Sequence, residues 1–126
     1  MCATTSGTPV FNFCKTVTDQ LVNIQQCNPI NQPTPSGEIV YYQNLTDLVV
    51  KGSSTVINTS TFSVMTVVYA QGGLSTNLIL EPGRSFTLFF ENLTGITVQA
   101  AAGPSPEAAC TGTLLLDLHY CVECSF

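Results

Sequence analysis

The sequence has 126 residues, of which 44% are hydrophobic and only 9% are charged. This length is enough for one domain with its own core, and the apolar runs are too short to span a bilayer. The net charge of −5 rests on eight acidic residues against Lys15, Lys51 and Arg84, and three scattered cations form no surface for phosphates or anionic lipid. We therefore expect no nucleic-acid partner and no membrane.

Residues 1–8 are small, polar and without periodicity. They predict a flexible N-terminal connector arm, with Cys2 as its notable residue, ahead of a single domain over residues 9–126. The start has neither the basic region nor the apolar stretch of a secretory signal peptide, so we expect none.

Period-two alternation and β-branched residues dominate the domain, and helical periodicity is nearly absent. Strands are predicted over residues 9–14, 16–24, 38–43, 47–51, 55–58, 61–69, 77–80, 84–90, 95–100 and 113–121. Alternation is clearest in three of them. In strand 61–69 one face carries Phe62, Val64 and Val68, and in strand 84–90 one face carries Phe86, Leu88 and Phe90. In strand 113–121 one face carries Leu114, Leu116, Leu118 and Tyr120.

Turn residues separate these strands. Glu81-Pro82-Gly83-Arg84 has the proline and glycine of a type II turn, and residues 71–73 and 51–54 predict hairpin connections. The segments 28–37 and 101–107 contain prolines and are predicted loops. Short strands about 8–12 residues apart predict an all-β, single-domain jelly roll or other β-sandwich.

Six cysteines allow up to three disulfides, and they cluster at the two ends of the chain. Bridges that fasten the terminal strands to each other or to a neighbouring chain would explain this distribution. The alternative is a zinc or redox site at Cys121-Val-Glu-Cys124, with His119 nearby. We favour disulfides, because there is no second CxxC motif, and we expect no metal and no cofactor.

The only histidine is His119, and Asp117 and Cys121 lie two residues away on the same strand face. These three side chains could be imagined as a nucleophile set. Alternate residues of one strand form no cleft by themselves, and the eight acidic residues show no pairing in the sequence. We therefore expect that the protein is not an enzyme.

Three stretches, together with the arm cysteine, resemble a known family. They are Leu80-Glu-Pro-Gly-Arg-Ser-Phe-Thr87, Asn92-Leu-Thr-Gly-Ile-Thr-Val98 and Cys110-Thr-Gly-Thr-Leu-Leu-Leu-Asp-Leu-His-Tyr-Cys121. The chain resembles the endospore appendage subunits, which form pilus-like fibres on the spores of bacilli. The resemblance implies a jelly-roll subunit that self-assembles by β-sheet augmentation into a helical or stacked-ring homo-oligomer. It also implies assembly without a signal peptide and display on the spore surface, with an anchor in the spore coat or exosporium.

The resemblance also implies roles for the cysteines. By position, Cys2 corresponds to the connector cysteine that links successive rings or turns, with Cys14 and Cys121 as acceptors in a neighbouring subunit. Cys27, Cys110 and Cys124 remain as other disulfide candidates. The chain departs from better-known members, which carry two adjacent connector cysteines, and this departure indicates a stacked-ring fibre as the alternative to a continuous helix.

The main hypothesis is therefore a structural fibre subunit. Its low charge weakens repulsion between identical subunits, and open sheet edges present unpaired backbone groups to a neighbour. The alternative is a jelly-roll binding module that acts as a monomer or small oligomer, such as an adhesin, a fibre tip or a carbohydrate-binding domain.

Overall fold

The computed structural model of the chain describes residues 19–103 and 107–123. Its strands are β1 (Asp19–Pro33), β2 (Ile39–Gln43), β3 (Lys51–Asn58), β4 (Val64–Gln71), β5 (Leu74–Leu80), β6 (Ser85–Phe90), β7 (Leu93–Ala101) and β8 (Ala109–Glu123). In these two ranges no helix is long and apolar enough to cross a membrane. The predicted arm, the predicted strand 9–14 and Cys2, Cys14 and Cys124 lie outside them.

The strands form two four-stranded antiparallel sheets, which we call sheet I, in the order β1-β8-β3-β6, and sheet II, in the order β2-β7-β4-β5. Most connections pass from one sheet to the other, and the chain returns beside its own start when β8 pairs with β1. This is the strand order of a jelly roll built from two Greek keys. The predicted all-β sandwich is confirmed.

The core lies between the sheets and follows the alternation of the sequence. Leu114, Leu116 and Leu118 of β8 are at most 3% exposed, as their predicted common face requires. In β4 the predicted face of Val64 and Val68 exists, but it is the outer one. The buried residues of β4 are those between, Met65, Val67 and Tyr69.

Buried polar side chains connect the strands across the core. The amide nitrogen of Asn58 donates to the carbonyls of Ser63 and Leu80, each at 2.9 Å, and its amide oxygen accepts from the backbone of Ser60. Each group of the buried amide thus has a partner, which removes the cost of its desolvation. The side chain fastens the end of β3 to the start of β4 and the end of β5.

Two turns agree with the sequence. In the Glu81–Arg84 turn, the Arg84 N–H donates to the Glu81 carbonyl at 3.1 Å, and Gly83 has a positive φ of 77°. Gly72 and Gly73, also at positive φ, connect β4 to β5 as predicted. In the predicted loop 101–107, β7 ends at Ala101 and β8 begins at Ala109, and residues 104–106 lie outside the described residues.

The prediction of a loop over residues 28–37 is wrong for its first half, because β1 continues to Pro33. Over this stretch β1 pairs with the start of β8, from Asn28 opposite Leu114 to Pro33 opposite Ala109. Pro29 and Pro33 are compatible with this pairing because β1 is an edge strand among the strands described, and a missing N–H can face away from the sheet there.

The prediction of a hairpin over residues 51–54 is also wrong, because β3 begins at Lys51 and runs straight through. Gly52 lies between Leu118 of β8 and Phe90 of β6. Its φ is 147°, and a Cβ atom there would meet the Asp117 carbonyl oxygen at 1.9 Å. The glycine therefore marks a close approach of two backbones within a sheet and not a turn.

Replacing Gly52 with alanine should lower the free energy of unfolding by about 3 kcal/mol or more, because the new methyl group meets backbone that cannot move aside. Urea denaturation of both proteins measures this. Gly37→Ala is the matched control, since a Cβ there meets nothing within 4 Å. Equal losses in the two variants would contradict the close approach.

The Glu107 carboxylate fastens the turn before β4. It accepts hydrogen bonds from the backbone N–H groups of Thr61, Phe62 and Ser63, at 2.8–3.1 Å, and from the Ser63 hydroxyl. These bonds favour the ionised form, the Ser63 hydroxyl most strongly, and lower the pKa of Glu107 to about 2.

Because this pKa is depressed on folding, the contribution of Glu107 to stability is complete above the unfolded pKa of 4.5 and disappears as pH falls toward 2. We expect Glu107→Gln to lower Tm by a few degrees at pH 7, and this difference from the parent protein should shrink between pH 4.5 and pH 2. Thermal unfolding monitored by circular dichroism measures it. The exposed Glu81→Gln serves as control, and a Tm difference independent of pH would refute the role.

Candidate assembly surfaces

Among the residues that the structure describes, four strands lie at a sheet edge and leave it open, namely β1 and β6 in sheet I and β2 and β5 in sheet II. Open edges carry unpaired backbone groups, and proteins usually protect them with proline or charge. β1 is protected in this way, since it contains Pro29 and Pro33. The other three edge strands have the sequences IVYYQ, LSTNLIL and SFTLFF, without charge or proline.

The β6 edge can be described atom by atom. The Asn58 N–H donates to the Arg84 carbonyl at 2.9 Å, and β3 pairs with β6 from there onward. Because hydrogen-bonded pairs alternate along antiparallel strands, the backbone groups of Thr87 and Phe89 point away from β3 to the open edge. The Phe89 side chain is 77% exposed beside them. The edge therefore offers both backbone partners and an apolar contact.

The edges of sheet II are also apolar. β5 exposes Leu74 and Ile79, and β2 exposes Ile39 and Val40. β2 is only five residues long, and its register shifts between Val40 and Tyr42. A short, bulged strand is a poorer template than a regular one. β5 and β6 are therefore the more regular of the uncharged edges.

The outer faces of the two sheets differ in charge. By register, the outer face of sheet II carries alternate residues of β4 and β7, such as Thr66, Val68, Thr97 and Gln99, and none of its described residues is charged. The outer face of sheet I carries Asp117 and His119 on β8 and Lys51 on β3. Of the two outer sheet faces, only that of sheet I therefore carries charged strand residues in the described part of the chain.

The histidine cluster lies on this charged face. His119 Nε2 is 3.4 Å from Asp117 Oδ1, and the Asn23 amide nitrogen is 2.8 Å from the same oxygen and 3.2 Å from His119 Nδ1. Nδ1 of the ring thus lies beside an amide donor, and Nε2 lies beside a carboxylate oxygen. A groove of about 430 Å³ adjoins the cluster and reaches Phe89. The sequence paired His119 with Asp117 but gave no signal for Asn23, which only the β1–β8 register brings there.

Cys121, the third residue of the imagined nucleophile set, is disulfide-bonded. Nucleophilic attack requires a thiolate, so the set is not available for catalysis in this state. Cys27 is disulfide-bonded as well. The two cysteines lie opposite Leu21 and Leu115, six positions apart along β1 and β8, and therefore belong to different bridges. Both are partly exposed and share the outer face of sheet I with His119.

Cys110 differs from the disulfide expected of it, because it is a free thiol buried in the core. Its sulfur accepts a hydrogen bond from the Ser60 hydroxyl at 3.4 Å. Burial, more than any other cause, raises the pKa of this thiol and keeps it protonated. Across the described residues, no group of three or more histidine, cysteine or acidic side chains could hold a metal ion.

The fold is similar to that of a solved structure described as "Bacillus endospore appendages form a novel family of disulfide-linked pili". The two chains share 16% identity with a TM-score of 0.62, over 90% of this chain and 100% of that one. A structure of infectious bursal disease virus, Gx strain, scores only 0.44, at 8% identity over 92% of this chain and 36% of that one. No curated protein matches the sequence significantly.

The sequence profile of the endospore appendages matches residues 11–122, which is most of the chain. The match includes every strand described above except the last residue of β8. The fold likeness agrees with it, and so does the resemblance carried by the closing residues of the sequence. The chain therefore belongs to the endospore appendage family.

Proposed function

We propose that the chain is the structural subunit of a disulfide-crosslinked fibre on the spore surface, which self-assembles by β-sheet augmentation. The observation that carries this proposal is the open edge of β6, which has no charge and exposes 77% of Phe89. An edge of this kind is a template for another strand. Family membership supports the same function, and so does the likeness in fold to a subunit of disulfide-linked pili.

A single repeated contact builds a fibre only if it joins unlike edges. If β6 pairs with β2 or β5 of the next subunit, each contact uses a different surface on the two partners. Such a contact repeats head to tail and gives a closed ring or an open helix. Pairing of β6 with a second β6 would be symmetric and would stop at a dimer. The three uncharged edges supply the unlike surfaces that continuous growth needs.

Crosslinking between rings or turns is assigned to the Cys2 arm, with Cys121 or Cys14 of a neighbour as its acceptor. Cys121 is partly exposed on the outer face of sheet I, where a neighbouring arm has access. A sulfur in a disulfide accepts a thiolate by exchange. The Cys2 thiolate attacks Cys121, a new S–S bond forms, and the former partner of Cys121 leaves as a thiolate. The number of disulfides is unchanged, and the bridge now joins two subunits.

The fibre stands outside the spore, with its base held by the coat or exosporium, and its subunit catalyses no reaction. The surface chemistry suits this place. Its polarity comes mainly from threonine, serine, asparagine and glutamine, whose side chains stay uncharged as the pH changes. A surface with few charges also has few groups whose repulsion would oppose dense packing.

Replacing Phe89 with lysine should raise the protein concentration needed for assembly by about tenfold or more. Burial of a phenylalanine contributes roughly 1.5–3 kcal/mol, and ~1.4 kcal/mol changes an association constant tenfold. Light scattering and negative-stain microscopy measure assembly. Leu45→Lys, at an 83% exposed position outside the strands, is the control. A size independent of concentration in the parent protein would instead support a monomeric binding module.

Replacing Cys2 with serine should leave lateral association intact and remove covalent linkage between layers. Fibres of the variant should separate in hot SDS without reductant, whereas parent fibres should require reductant. Non-reducing gels and micrographs measure this difference. Cys110→Ala is the control, because Cys110 is buried and free within its own subunit. Unchanged resistance to SDS in the Cys2→Ser variant would rule out the connector role.

A further inference from the structure

The groove beside the histidine cluster lies on the outer face of sheet I, and we call it the face groove. By register, Ser53 of β3 lies between Asp117 of β8 and Phe89 of β6, and its small side chain leaves space between them. Phe89 is 77% exposed and forms an aromatic wall. The other charged or ionisable side chains that line the groove are Lys51, Glu91 and His119.

The face groove carries more negative than positive charge. Its lining has the carboxylates of Asp117 and Glu91 and the ammonium group of Lys51, a formal charge of −1 with histidine counted as neutral. Lys51 contacts Oε2 of Glu91 at 3.5 Å, and the contacts of Asp117 with Asn23 and His119 both use Oδ1. Within the described ranges, no hydrogen bond or ion pair reaches Asp117 Oδ2 or Glu91 Oε1. Two carboxylate oxygens are therefore available to a cation.

An exposed aromatic ring beside two such oxygens suits one class of cation. A guanidinium group is planar, so it can stack on the ring of Phe89 while its N–H groups donate to carboxylates. It is also more weakly hydrated than an ammonium group, and therefore loses less when it leaves water. The face groove thus fits the side chain of an arginine.

The chain contains one arginine, Arg84, in the turn before β6. Its backbone is held on both sides, since its N–H donates to the Glu81 carbonyl and its carbonyl accepts from the Asn58 N–H. The ion pairs among the residues that the structure describes are Lys51–Glu91 and His119–Asp117. Arg84 belongs to neither pair and is exposed, so a fixed turn presents its guanidinium group to solvent.

Arg84 cannot reach the face groove of its own subunit. Five residues of β6 separate it from Phe89, which is about 17 Å along an extended strand and farther than an arginine side chain extends. The arginine and the groove thus lie toward opposite ends of β6. One subunit can present its arginine to a second subunit while its own groove stays open to a third. A contact between unlike surfaces of this kind repeats head to tail.

We infer that the face groove binds Arg84 of a second copy of this chain, with the guanidinium group against Phe89 and hydrogen-bonded to Asp117 and Glu91. The occupant follows from charge complementarity, because the groove is negative and Arg84 is an exposed cation without an ion pair in the described part of the subunit. The inference rests on the proposed self-assembly and deepens it by adding an ionic contact between subunits. Backbone pairing at the β6 edge leaves the outer face of sheet I open, so one subunit can form both contacts.

Two charge reversals and their mixture test this contact. Arg84→Glu brings a carboxylate to the negative groove, and Glu91→Lys gives the groove a positive charge. Because like charges then meet, each variant alone should need on the order of tenfold more protein for assembly than the parent. In an equimolar mixture, each arm of the contact again joins opposite charges, and the required concentration should return to within about twofold of the parent value. Light scattering measures assembly, and circular dichroism confirms that each variant is folded.

Glu38→Lys is the matched control, because it makes the same charge change at an exposed residue outside the groove. It should assemble like the parent and should not rescue Arg84→Glu in a mixture. A mixture of Arg84→Glu and Glu91→Lys that assembles no better than its components would overturn the inference. Rescue by Glu38→Lys would also overturn it, since net charge alone would then govern assembly. A parent protein that never assembles refutes the proposed function, whereas a parent that assembles without these effects refutes only the arginine contact.

Discussion

The pairing of β1 with β8 is the constraint on which the rest of the molecule depends. Fifteen residue pairs, from Asp19 opposite Glu123 to Pro33 opposite Ala109, join the two ends of the described chain. Because side chains alternate across a strand, one register directs Leu114, Leu116 and Leu118 inward and Asp117, His119 and Cys121 outward. A slip of one residue would exchange these sets, so the buried leucines fix the position of the bridge-forming cysteines.

This pairing explains why cysteines at opposite ends of the sequence belong to one region of the molecule. Cys27 and Cys121 are 94 positions apart in the chain but lie on neighbouring strands and on the same face. The few charged side chains of the strands are also unevenly distributed over the molecule. Lys51 and Asp117 lie with His119 on the outer face of sheet I, whereas the described residues of the outer face of sheet II and of the edge strands β2, β5 and β6 carry no charge.

The sequence was sufficient to predict the class of fold and several local features. The alternation of β8 and the Glu81–Arg84 turn depend on neighbouring residues only, and both predictions are confirmed. Glycine and proline usually end strands, so the sequence predicts a turn at Gly52 and a loop at Pro29. Both lie inside strands for reasons that involve distant residues, namely the approach of Asp117 and the edge position of β1. The open edges and the Asn23–His119 contact likewise depend on strand order, which alternation does not specify.

The buried thiol of Cys110 gives the subunit a built-in reporter of its own opening. The sulfur is 0% exposed, and burial raises its pKa, whereas alkylating reagents require an accessible thiolate. Alkylation of Cys110 therefore requires that β8 first separates from the core. The rate of alkylation measures how often this opening occurs. In a fibre, covalent links between subunits make denaturation curves hard to interpret. The alkylation rate of Cys110 in the fibre, compared with that in the free subunit, would measure how strongly assembly suppresses local opening.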